Sequence, residues 1–236
     1  MDFKCVHGPY PDLLLELWKE YDDRKGSEND CPSVFSEDQL LLVTELEYAG
    51  ICLEDFQFTS STQASSVFFQ VAYALAIGEM AVEFEHRDLH WGNIMICRTS
   101  AKFVSFNVKE KRITMETKGV LARIVDFTLS RASLNGQPVY ADLALTPDIF
   151  ESTGEYQFEI YRLMKKHTEN IWSKYTPYTN ILWLHYLVLQ MCAAVKYRNK
   201  TSKIHKQYMK ILKDISSSIL SYSSATDFVT NQEFYE

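Results

Sequence analysis

SSTQASSVFFQVAYALAIGEMAVEF, residues 60–84, runs with only Glu85 between into HRDLHWGN, residues 86–93, and this junction limits the possible folds more than any other stretch. Ser60 and Gln63 have capping-box spacing, and Val67, Phe68, Val71, Ala74, Leu75 and Met80 cover much of the cylinder. A helix this apolar needs a core around it. The polar run that follows, interrupted by Trp91-Gly92, predicts a loop that joins the helix to the short apolar run IMI at 94–96.

The rest of the chain supplies the other layers. QLLLVTELEYAG (39–50) predicts a buried strand that passes into a tight connection at Gly50. VSFNV (104–108) and RITME (112–116), joined through Lys109 to Lys111, and VLARIVD (120–126) predict short strands or a hairpin. After Asp126 the pattern loosens until YQFEIYRLMKK (156–166), a helix with Phe158, Ile160, Tyr161 and Met164 available to a core. Helices over roughly 180–198 and 203–222 follow. The fold class is α+β, mostly helical after the first 50 residues, with no internal repeat or flexible linker.

Composition narrows the function. The 236 residues are 46% hydrophobic, which is enough for a sizeable core. The net charge of −7 argues against a general nucleic-acid binder and suits a basic peptide or a metal-complexed substrate. The five cysteines are scattered and never in a C-x-x-C pair, so neither a disulfide framework nor a zinc ribbon is indicated, and a reducing compartment is the default. No secretory signal opens the chain, and the apolar stretch at 181–195 contains His185 and Gln190, so it reads as a buried helix rather than a membrane span.

An aspartate in a rigid loop, an asparagine five residues on and a second aspartate at the end of a later strand meet the needs of magnesium-dependent phosphoryl transfer. One carboxylate orients the attacking hydroxyl, while the amide and the other carboxylate hold metal ions against the phosphates. Asp88, Asn93 and Asp126 have that order, and oxygen ligands suit Mg2+. His86 and His90 stand four apart, but Arg87 fills the place of the glutamate in a zinc H-E-x-x-H pair, and Trp91-Gly92 breaks any helix there. His86 is expected to be a satisfied, partly buried histidine that braces the loop. His90 is either a structural hydrogen bonder or a donor to the transferring phosphoryl group.

HRDLHWGN (86–93), IVDFTLSR (124–131), YQFEIYRLMKK (156–166), YTNILWLHYL (178–187) and SSATD (223–227) together resemble the haspin family of atypical eukaryotic serine/threonine protein kinases. The likeness starts near CVHGPYPDLLLELW at 5–18 and covers nearly the whole chain. It implies a protein-kinase-like fold with a partial small lobe and hinge over 1–50 and a helical large lobe over 51–236. Asp88 would be the catalytic base, and His90 would stand where ordinary serine/threonine kinases have lysine. Asn93 and Asp126 would hold Mg2+ and the ATP phosphates. Leu46 would be the gatekeeper, and main-chain groups of Glu47 and Tyr48 would hold adenine. The substrate would be a threonine of a histone tail, contacted at Asp148, with Asp142, Glu151 and Glu155 as further acidic residues near a basic peptide. The setting would be nuclear or chromosomal and mitotic, with no direct nucleic-acid or membrane binding.

The pattern also departs from ordinary kinases. Thr128 replaces the glycine of D-F-G, and a β-branched residue strongly disfavours positive φ, so the motif is expected to be hard to flip. No A-P-E follows Asp126, so a phosphorylation switch in this segment is not expected. No two of the eight glycines are closer than 14 residues, which rules out a G-x-G-x-x-G loop in this sequence. No lysine ahead of the hinge lies in a V-A-I-K-like strand, so the chain is read as starting partway through the small lobe. Cys52 stands where the family tends to have a ribose-binding aspartate, and Glu159 is expected to brace the catalytic loop. Two further readings stay open: a catalytically impaired kinase-like binding module, and a small-molecule phosphotransferase of the same superfold.

Overall fold

A computed structural model describes residues 2–27 and 29–231. The chain divides into two compact units, Met1–Tyr48 and Ala49–Glu236.

In the first unit β1 (Asp2–His7) pairs antiparallel with β2 (Leu40–Glu45), and the register runs from Asp2 opposite Glu45 to His7 opposite Leu40. Between them lies α1 (Asp12–Lys25), which ends where Gly26, at φ 73°, returns its N–H to Asp22 O. The sequence predicts a buried strand here, and that expectation is corrected: Leu40–Glu45 is a strand, but its side chains are largely exposed. It has one partner strand, and α1 buries none of its own residues, so the described residues of this unit build no dry core of their own. Leu13 is 65% and Leu42 70% exposed.

The second unit opens with β3 (Ile51–Cys52) and β4 (Gln57–Phe58), then α2 (Ser61–Val82). Ser60 caps α2 by accepting from Thr62 N, and Gln63 Oε1 accepts from Thr59 N at 2.9 Å, a variant of the expected capping box. By length and composition α2 could cross a membrane, but 67% of its most apolar window is buried inside the unit, as befits a core helix. Next come β5 (Ile94–Arg98), β6 (Phe103–Val108), β7 (Lys111–Glu116) and β8 (Val120–Ile124). The β6–β7 hairpin closes over Lys109 and Glu110 as the alternating pattern predicts. A sheet in the order β3-β5-β8 lies beside α2.

A second hairpin, β9 (Arg131–Leu134) with β10 (Gln137–Tyr140), fills a region that the sequence reading left without structure. Its turn is Asn135-Gly136 with φ of 52° and 75°, the tight primed turn that this dipeptide favours. Then follow α3 (Tyr156–His167), α4 (Tyr178–Ala193), β11 (Lys196–Tyr197), α5 (Lys203–Ser218) and α6 (Ala225–Thr230). The fourth helix stops five residues short of the expected 198. Tyr197 turns back to donate its hydroxyl to Met191 O at 2.7 Å, and β11 leaves to pair in parallel with β4.

The core forms where α2 meets α4, α5 and α6, with Phe68 and Phe69 of α2 against Phe228 of α6 at ring distances of 6.0 and 6.2 Å. Glu79, buried on α2, has no cationic partner among the described contacts. Its carboxylate accepts from Asn180 Nδ2 at 3.0 Å, from Ala225 N at 2.9 Å and from both N and Oγ1 of Thr226 at 2.7 Å. One α2 side chain thereby caps the N-terminus of α6.

Candidate active site

The loop after α2 is held from three sides. Glu85 and Arg131 exchange main-chain hydrogen bonds of 2.9 and 2.8 Å, which ties the loop entry to β9. His86 donates its main-chain N–H to Asn180 Oδ1 on α4 at 3.1 Å. Its ring accepts from Asp88 N at Nδ1 at 3.3 Å, which leaves Nε2 to carry the proton that it shares with Val125 O at 3.1 Å. Burial presses the His86 pKa down to about 4, so the ring is neutral; it braces the loop as the sequence predicts, but fully rather than partly buried.

Arg87 adopts φ 66°, an unusual conformation for a large side chain. It is fully buried, and its guanidinium donates to both oxygens of buried Glu85, at 3.2 and 3.1 Å, and to Trp172 O at 2.8 Å, while lying over the Trp172 ring. Glu85 also accepts from Thr176 N and from Thr179 Oγ1, both at 2.8 Å, so its acceptor sites are filled. The left-handed turn at Arg87 is what presents the next residue, Asp88.

Asp88 Oδ1 accepts the hydroxyl of Tyr161 on α3. Asn93 Nδ2 donates to the main-chain O of Asp88 at 2.8 Å and, more weakly, to Oδ2 at 3.4 Å. Burial pushes the Asp88 carboxyl above its usual range, the Tyr161 bond and the nearby His90 oppose this, and the charge of Asp126 adds to it. A carboxylate raised toward working pH is a better proton acceptor. His90 takes Gly92 N on Nδ1 at 3.1 Å and so caps the turn Trp91–Asn93. The ring lies so close that a Cβ on Gly92 would sit 2.8 Å from its Cε1, which explains the glycine. The structural part of the His90 expectation is thus seen, and with Nδ1 accepting from Gly92, Nε2 is the ring nitrogen that can donate.

Strand pairing delivers Asp126. β5 and β8 pair Ile94 with Ile124, and Val125 N donates to Asn93 O at 3.1 Å, so the residue after Val125 leaves the ladder beside Asn93. Asp126 has φ 62°, and Thr128 donates to its Oδ1 through Oγ1 at 2.6 Å and N at 3.2 Å. The Thr128 hydroxyl in particular lowers the Asp126 pKa. Phe127 is 56% exposed, yet packs edge-on to Phe84 at 5.9 Å and against His86 at 5.6 Å.

Asp88, His90, Asn93 and Asp126 therefore come together in the second unit. Leu46, Glu47 and Tyr48 belong to the first, in the irregular segment after β2. Asp148 lies exposed in the turn Pro147–Phe150. Cys52 donates its thiol to Asp55 Oδ2 at 3.4 Å, and burial raises its pKa. The expected brace at Glu159 is corrected. That carboxylate takes Arg162 Nε at 2.7 Å, one turn along its own helix, and the side chain that reaches the loop is Tyr161. Sequence reasoning missed both Tyr161 and Asn180. The available signal was that each puts a polar group on a buried helix face, where it must find a partner.

The donors fit Mg2+. With Nδ2 committed to Asp88, Asn93 offers Oδ1, and Asp126 offers the oxygen that Thr128 leaves. Among the described residues no group of three or more His, Cys, Asp or Glu side chains is placed to hold a metal unaided. A Mg2+ ion here would take the rest of its shell from phosphate and water, as it commonly does.

Residues 1–234 match the family model described as a haspin like kinase domain. The serine/threonine-protein kinase haspin of Mus musculus is 41% identical over 234 residues, which is 98% of this chain and 31% of that protein. The haspin homolog of Drosophila melanogaster is 40% identical over 221 residues, 94% of this chain and 39% of that one. The Arabidopsis thaliana homolog is 37% identical over 234 residues, 99% of this chain and 38% of that one. The chain spans between 31% and 39% of these relatives.

Proposed function

This chain belongs to the haspin-like kinase family, and from that premise we propose that it transfers the γ-phosphate of ATP to a threonine or serine hydroxyl of a protein substrate. The observation that carries the reading is the grip on Asp88: a carboxylate raised by burial, bonded by Tyr161 and Asn93, beside the strand end that bears Asp126. In this reading the substrate hydroxyl gives its proton to Asp88 as its oxygen bonds the γ-phosphorus, and the electron pair of the broken P–O bond leaves with ADP. Bound Mg2+ would supply neutralisation of phosphate charge, held by Asn93 and Asp126. In this reading His90 Nε2 donates to an oxygen of the transferring phosphoryl group, by resemblance to the family. By resemblance to the family Leu46 is the gatekeeper, main-chain groups of Glu47 and Tyr48 receive adenine, and Asp148 receives a basic substrate tail. That resemblance also supplies a histone tail as the substrate and chromosomes as the setting.

The experiment is a phosphotransfer assay of residues 1–236 on a histone-tail peptide with Mg-ATP, alongside calorimetry of nucleotide binding. Peptide phosphorylation that disappears in Asp88→Asn supports the proposal. A second reading, a binding module without turnover, is favoured by one feature: these 236 residues hold no glycine loop or V-A-I-K-like lysine to cradle the phosphates. Peptide binding without phosphorylation would select it.

A further inference from the structure

Tyr161 sits on the buried face of α3, only 6% exposed, between the fully buried Ile160 and Met164. Its ring stands edge-on to Trp183 of α4 at 5.4 Å, and Trp183 stands edge-on to Tyr186 at 5.5 Å, so three aromatic rings fix where the phenol points. It points at Asp88 Oδ1. Without that bond the Asp88 carboxylate would keep one long contact on its other oxygen, Asn93 Nδ2 at 3.4 Å. A carboxylate turns readily about its Cβ–Cγ bond, because that torsion is broad and roughly two-fold. A weak contact would not fix it.

We propose that Tyr161 is a positioning residue of the phosphotransfer site: its hydroxyl locks the Asp88 carboxylate in one rotation, with Oδ1 occupied and Oδ2 turned to receive the substrate hydroxyl. The inference rests on the kinase reading above. A buried tyrosine often bonds whichever acceptor is nearest, and such a bond would matter for packing only. Here the acceptor is the group that must meet the hydroxyl within hydrogen-bond reach, and small misplacements of such groups cost turnover steeply. The phenol also keeps its proton, since burial and the adjacent Asp88 raise its pKa well above the ordinary tyrosine value. It directs the carboxylate without competing for the proton in transfer.

The test measures kcat and KM for ATP on a threonine-containing histone-tail peptide for the parent chain, Tyr161→Phe, Asp88→Asn and the double variant. Tyr161→Phe is expected to lower kcat by about ten- to a hundredfold with KM for ATP within about twofold, the signature of lost orientation rather than lost nucleotide binding. The double variant is expected to be no slower than Asp88→Asn alone. Trp183→Phe, which loosens the ring packing but spares the hydroxyl, serves as the packing control and should lose less kcat than Tyr161→Phe. A parent that phosphorylates the peptide while Tyr161→Phe keeps full kcat overturns this inference alone. So does a further loss in the Asp88→Asn background, or a Trp183→Phe defect as large as that of Tyr161→Phe. A parent that transfers no phosphate overturns it together with the proposed function.

Discussion

Thr128 holds Asp126 with two donors on one oxygen, its hydroxyl at 2.6 Å and its main-chain N–H at 3.2 Å. A glycine at 128 could supply only the second. Thr128→Val keeps the shape and removes the hydroxyl bond to a charged acceptor, so Mg-ATP affinity measured by calorimetry should fall about tenfold. Thr128→Ser should restore it to within about twofold.

Asp88 and Asp126 are assigned different tasks, and their asparagine variants should separate. Asp88→Asn should remove at least about a hundredfold of turnover and leave ATP binding nearly intact, because a base acts on the hydroxyl and not on the nucleotide. Asp126→Asn should weaken metal-nucleotide binding as well. Equal loss of ATP affinity in both would contradict the assignment.

The neutral His86 gives stability a pH dependence of definite sign. Its pKa is about 4 in the folded chain against 6.5 for an ordinary histidine, so the unfolded chain binds the proton first as pH falls. The stabilisation is complete above the unfolded value and is lost as pH drops toward the folded one. From pH 6.5 to about pH 5 the His86 contribution to unfolding free energy should fall by about 1.5 kcal/mol. Urea titrations of the parent and His86→Gln at both pH values check this, and the variant should show the smaller slope.

Glu85 and Arg87 are both fully buried, and each satisfies the other. Glu85→Ala would strand the guanidinium inside the unit and should cost about 3–5 kcal/mol by chemical denaturation. The double replacement Glu85→Gln with Arg87→Met should cost less than Glu85→Ala alone, since no unpaired charge then remains. A double variant less stable than the single one would contradict this account.

Much of this architecture is legible in the residues because it depends on local chemistry. The apolar period and cap mark α2, the alternation marks β6 and β7, and the three residues that the spacing singles out lie near one another, with Asn93 bonding Asp88 and Val125, the residue before Asp126, bonding Asn93. The β9–β10 hairpin was missed although Asn135-Gly136 is a local signal for it, because only two short alternating runs flank that dipeptide. What escaped is set by distant partners. Tyr161 and Glu159 lie two residues apart on one helix, and which of them reaches the loop depends on how α3 is rotated against α4. Likewise α4 ends early because Tyr197 and β4 pull the chain away, and neither is visible in the helical period. The apolar 39–50 run predicts burial by composition, whereas exposure depends on whether a second layer covers it.

The cap that Glu79 places on α6 sets an order of assembly. The same Asn180 that donates to Glu79 also holds His86 N, so the brace of the loop at 86–93 shares a side chain with the start of the last helix. During synthesis the loop leaves the ribosome 133 residues before Thr226 does. At ordinary elongation rates that interval is roughly 7 to 27 s. Through it Glu79 is a carboxylate that cannot be buried without cost, because the N–H groups of Ala225 and Thr226 do not yet exist. A nascent chain therefore holds every residue of the Asp88 cluster long before it can fix their geometry, and its competence is timed by residues that never touch the site.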